Sequence, residues 1–155
     1  MMELLTFGDT GWGDELLLSM VMTILVSTSS LAFGLLIGTI FASFKLSNSY
    51  ILKTIAEFYT TVVRGVPELL VIYLLFFGGS GAVMYVAKIF GHMGYIELSP
   101  FTIGTIAVGA ISGAYSTEVI RGAILAVPKG QFEAARTLGM KKYALSFTII
   151  FPQVA

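Results

Sequence analysis

The chain has 155 residues, 56% of them hydrophobic and 12% charged, with a mean hydropathy of +0.89 and a formal net charge of zero. That balance lies far from soluble domains and offers no basic surface for nucleic acid, so it reads as a membrane protein. With no cysteine, disulfides, thiolate catalysis and Cys-based metal sites are excluded.

The first predicted element is residues 16–44, a run of 29 positions without a charge. It exceeds the ~20 residues needed to cross a ~30 Å hydrocarbon core. It is also longer than the ~7–15-residue apolar core of a signal peptide. Glu3, Asp9, Asp14 and Glu15 precede it with no lysine or arginine, so no cleaved signal is expected. Within it, Gly34 and Gly38 form a GxxxG pair, and Ser27, Thr28, Ser29 and Ser30 are placed to hydrogen-bond within or between helices.

A second span is expected at 69–87, opening LLVIYLLFF and becoming glycine-rich, with Pro67 at its start, where a missing N–H costs little. A third is expected at 98–117, rich in Gly, Ala, Ser and Thr, with a second GxxxG pair at Gly109 and Gly113. The two glycine pairs are either helix contacts or a consequence of composition. A fourth apolar stretch starts at 143 and runs about 13 residues to Ala155, too short to span. It reads as the start of a fourth helix in an incomplete chain, and Pro152 should kink it. Residues 1–155 are thus taken as one transmembrane domain.

Eight of the nine basic residues, Lys45, Lys53, Arg64, Arg121, Lys129, Arg136, Lys141 and Lys142, fall on one side of these spans. The positive-inside rule makes that side cytoplasmic and the N-terminus external. Trp12, Tyr95 and Phe101 are then expected near the outer interface, and Lys141 and Lys142 at the inner headgroups.

The cytoplasmic segment 128–142 contains FEAARTLGM. Glu133 is expected in the first turn of a helix of about two turns, and Gly139 as its left-handed C-cap. Phe132 and Leu138 offer apolar anchors, Ala134 and Ala135 permit close approach, and Glu133 and Arg136 are spaced to pair. Such a helix either docks on another protein or lies on lipid.

Glu133, Ala134, Ala135, then Gly139 after three residues, Ile149 after nine more, and Phe151 next to Pro152, resemble the EAA signature of permease subunits in bacterial ABC importers. Phe151 departs from the usual leucine but keeps an apolar residue there. RGVPELL at 64–70 and GAYSTEVIRGAILAVPKGQFEAA at 113–135 extend the resemblance to the polar-amino-acid branch. Within it, the chain is similar to permeases for histidine, for lysine, arginine and ornithine, and for octopine and nopaline.

The resemblance implies an all-α helical bundle of about five spans in the bacterial cytoplasmic (inner) membrane. It implies import of a polar amino acid of the basic class, or an opine. It makes Glu133, Ala134, Ala135 and Gly139 the coupling helix that docks on an ATPase. The implied partners are a second homologous permease, two cytoplasmic ATP-binding subunits and an external substrate-binding protein. ATP and Mg would sit on the ATPase, with no cofactor on this chain. GGSG at 78–81 lacks the lysine and hydroxyl of a phosphate-binding loop, in keeping with that division.

Glu68 with Arg64, and Glu118 with Arg121, are the ionisable groups near the expected pore. They either attract a cationic substrate or neutralise one another at helix ends. No catalytic residues are assigned, because one histidine and no cysteine give no nucleophile and base pair. His92 and Glu97 supply too few ligands for a metal site. A secondary transporter or channel subunit, or a non-transporting helical scaffold, stays open on the residues alone.

Overall fold

The computed structural model describes residues 6–7, 11–91 and 99–154. Glu3, Asp9, His92, Tyr95, Glu97 and the first residue of the expected third span lie outside them. Among the described residues there are helices and no strands.

Helix α1, Gly13–Leu46, contains the first expected span and overruns it at both ends. Its charges suit the helix dipole, with Asp14 and Glu15 in the first turn and Lys45 in the last. Ser47, in an extended conformation, ends it. Helix α2, Tyr50–Gly65, occupies the charged segment between the first two expected spans. No proline interrupts it and no glycine precedes Gly65. Lys53, Glu57 and Arg64 broke the uncharged run without opposing a helix.

Pro67 separates α2 from α3, Glu68–Ile89. Val66 is extended (φ −108°, ψ 142°), as a residue before proline must be. The Pro67 carbonyl then accepts from the N–H groups of Leu70 and Val71. Between α2 and the first part of α3, Glu68–Gly79, the chain bends by 105°.

Helix α4, Pro100–Ala126, starts on Ser99, whose hydroxyl accepts from the Thr102 N–H (3.2 Å), with Pro100 in the first turn. It runs past the expected end at 117 because nothing before Pro128 stops it, so Glu118 and Arg121 lie within the helix. By length and composition, α1 and α4 are each able to cross a membrane, and α2 with Glu68–Gly79 passes only as a bent pair. After α5 (Lys129–Thr137) come α6 (Lys142–Leu145), a π-helical turn (Ser146–Ile150) and α7 (Phe151–Val154). The wider turn ends two residues before Pro152, which has no N–H for a regular i to i−4 bond.

The centre of the fold is the α1–α4 contact. Ser30, Gly34, Gly38 and Ala42, each four apart, are buried on α1, and Ile103, Ala107, Gly109, Ile111, Gly113, Ala114 and Thr117 on α4. Both glycine pairs are helix contacts. A Cβ on Gly38 would stand 2.6 Å from Ser116 Cβ, and one on Gly34 3.0 Å from the Gly109 carbonyl oxygen. Thr28 donates to the Ile24 carbonyl (2.8 Å), whereas the buried Ser30 hydroxyl has no protein partner among the described residues.

Helix α2 leans on this pair through Tyr59. Its hydroxyl donates to the Ala110 carbonyl (2.5 Å), its ring sits 4.4 Å from that of Phe41, and the missing side chain of Gly113 leaves room for it. Large apolar side chains on the outer faces, such as Leu18, Leu36 and Phe77, are exposed. Lipid covers such faces in a membrane protein.

Candidate functional site

The expected cytoplasmic helix is α5. Val127, extended before Pro128, stops α4 and turns the chain. Pro128 then caps α5, and its carbonyl accepts from the Gln131 N–H (3.0 Å). Because α5 starts at Lys129, Glu133 falls in the second turn, so its expected interaction with the helix N-terminus is corrected.

The C-terminus closes as a Schellman motif. Gly139 has φ +71°, its N–H donates to the Arg136 carbonyl (2.9 Å), and the Met140 N–H donates to the Ala135 carbonyl (3.1 Å). Nine residues do not hold a helix alone in water. Three constraints hold this one: the glycine cap, burial of Ala135, and a side-chain bond from Gln153 to Gln131 (2.5 Å).

The two alanines therefore differ. Ala135 is turned into the protein, while Ala134 is exposed beside Glu133 and Arg136. Of the two apolar anchors, Leu138 is 80% exposed and Phe132 is half-buried. Glu133 and Arg136 form no ion pair among the described residues, a correction to the spacing argument. Both keep their charges free for another surface. The result is a short knob between α4 and α6, with Leu138 and the charged Lys129, Glu133 and Arg136 outward.

Glu118 does pair with Arg121, whose Nε donates to Oε2 at 3.2 Å. Its other oxygen accepts from Lys45 at the end of α1, a partner that sequence spacing missed because it lies 73 positions away. Lys45 is only 10% exposed and Glu118 23%, so one carboxylate holds two cations in a largely dry contact between α1 and α4.

Glu68 and Arg64, by contrast, form no ion pair with each other among the described residues. Both converge on Tyr115 of α4, a residue the sequence reading did not single out. The Arg64 guanidinium carbon lies 5.3 Å from the ring centroid, and Glu68 sits beside the hydroxyl. The 105° bend makes this possible by bringing both sides of Pro67 against α4.

Among the described residues no group of three or more His, Cys, Asp or Glu could hold a metal.

Comparison with known proteins gives a consistent picture. A nopaline transport system permease protein of Agrobacterium fabrum is 48% identical over 99% of this chain and 66% of its own length. An octopine transport system permease protein of Rhizobium radiobacter is 45% identical over 99% of the chain and 65% of its own length. A histidine/lysine/arginine/ornithine transport system permease protein of Escherichia coli is 38% identical over 93% and 63%. The chain thus spans just under two thirds of the length of these relatives. A crystal structure of an amino acid ABC transporter with histidines superposes with a TM-score of 0.67 at 34% identity, covering 86% of this chain and 57% of that one. The family model described as the binding-protein-dependent transport system inner membrane component matches residues 34–155, and this chain belongs to that family.

Proposed function

We propose that this chain is the membrane-spanning part of an ATP-driven importer for a polar amino acid of the basic class, or an opine. The observation that carries the reading is α5. It is a glycine-closed helix set between α4 and the helical stretch that starts at Lys142, and it presents the side chains of Glu133, Ala134, Arg136 and Leu138 outward with no ion-pair partner among the described residues. A helix joined at both ends to longer helical stretches can pass on the displacement of whatever grips it. The names of the relatives and of the matching crystal structure support the substrate class.

In this reading two cytoplasmic ATP-binding subunits carry ATP and Mg, and one of them grips α5. A second homologous permease completes the path, and an external binding protein delivers substrate. ATP binding and release bias the two permeases between inward and outward states. The chain crosses the inner membrane at about 16–44, 69–87 and 98–117, enters a fourth span at 143, and has its N-terminus outside. Arg64 and Glu68 face the substrate, while Glu118, paired with Arg121 on its own helix, joins α4 to Lys45 of α1.

The test is the transporter assembled in membrane vesicles with its ATPase, comparing native chain with the Glu133→Ala, Gly139→Ala double variant. Alanine at φ +71° costs about 1–2 kcal/mol and opens the Schellman cap. Loss of co-purification and of stimulated ATP hydrolysis is the expected result. Retention of both would remove the coupling role and favour a transporter or channel that needs no ATPase.

A further inference from the structure

We infer that the Tyr115 ring is a seat for the cationic head of the substrate, and that Arg64 of the same chain occupies this seat as a stand-in until substrate displaces it. This rests on the proposed import of a cationic substrate and adds the means by which the permease recognises it.

The contact has the right strength for exchange. A guanidinium within ~6 Å of an aromatic centroid is attracted to the ring face, but weakly where water reaches it. Tyr115 is 41% exposed and Arg64 is exposed as well. Arg64 has no ion pair among the described residues that would hold it there more firmly. Its stem leaves the last turn of α2 beside Gly65, which adds no side chain to block a swing.

The surroundings suit a longer guest. Glu68, beside the Tyr115 hydroxyl, supplies the negative charge that an incoming ammonium or guanidinium requires. In the elbow between α2 and α3 lies an apolar cavity of about 330 Å³, lined by residues that include Val63, Val66, Val71 and Ala110. Its lining is apolar, chemistry that suits the methylene stem of a basic side chain.

Arg121, on α4 near Tyr115 in sequence, offers a contrast: it is tied to Glu118. Arg64 is the arginine left on an aromatic face.

The experiment titrates L-arginine and its neutral isostere L-citrulline against the transporter complex in nanodiscs, without binding protein, and records ATP hydrolysis on the same discs. Arg64→Gln should tighten arginine binding about three- to fivefold, the range expected for removing an exposed cation–π competitor, and leave citrulline unchanged. Arg64→Lys, which keeps a cation in place, should move arginine affinity less. Tyr115→Leu should weaken arginine binding and cancel the gain from Arg64→Gln, with Tyr115→Phe retaining more of the arginine preference than leucine does.

Equal effects of Arg64→Gln on both ligands, weaker arginine binding, or no change would overturn the stand-in role while native arginine binding and coupled ATP hydrolysis leave the import reading standing. A native complex that binds no arginine and couples no ATP hydrolysis would overturn both.

Discussion

Glu118 shows how one side chain can unite distant parts of the chain. Its two oxygens are shared between Lys45, nearly buried, and the half-exposed Arg121. Removing the carboxylate charge leaves Lys45 desolvated with no counter-charge, which costs far more than the loss of an exposed pair. Glu118→Gln should therefore lower stability by about 2–3 kcal/mol. Arg121→Gln should cost less than about 1 kcal/mol, because Lys45 keeps its partner. Denaturant unfolding in detergent, read by the Trp12 fluorescence, checks the order of the two. Arg121 was legible from its spacing of three on one helix. Lys45 was not, since its pairing depends on how α1 packs on α4.

At the scale of elements, α1 and α4 approach closely because their facing positions are small. The stripe Ser30, Gly34, Gly38 and Ala42 repeats every four residues, and the Gly109 to Gly113 stretch answers it. A methyl at Gly38 meets the Cβ of Ser116 and the backbone behind it, none of which is the free end of a side chain. Gly38→Ala should destabilise the chain by about 1–3 kcal/mol. At Gly122, with open space around the added carbon, alanine should be neutral or slightly stabilising through helix propensity. Paired thermal melts of the two variants in detergent distinguish contact from composition. The glycine motifs were visible in the sequence, but a motif does not name its partner. Helix α2 went unassigned for a different reason: its charges broke the uncharged run while its backbone had no reason to stop.

For the whole molecule, orientation rests on where the basic residues gather. Gly130, exposed on α5, and Trp12, exposed before α1, belong to opposite sides in the proposed topology. The chain contains no cysteine, so single replacements report without background. Gly130→Cys should react with an impermeant maleimide only in inside-out vesicles, and Trp12→Cys only in right-side-out vesicles. The reverse pattern would invert the topology and place α5 out of reach of a cytoplasmic ATPase.

Membrane character, the presence and C-terminal closure of α5, and the breaks at Pro67 and Pro128 were determined by the sequence alone. Each follows from local chemistry: apolar run length, a glycine where φ must be positive, and the restriction that proline places on the residue before it. The tertiary structure decided which alanine of α5 faces outward, which cations hold Glu118, and that Arg64 and Glu68 meet at Tyr115 instead of pairing with each other. Those outcomes depend on the rotation of each helix about its axis and on contacts between residues some 50 to 73 positions apart, as at Arg64 with Tyr115 and Lys45 with Glu118. Local periodicity along a chain carries no record of either.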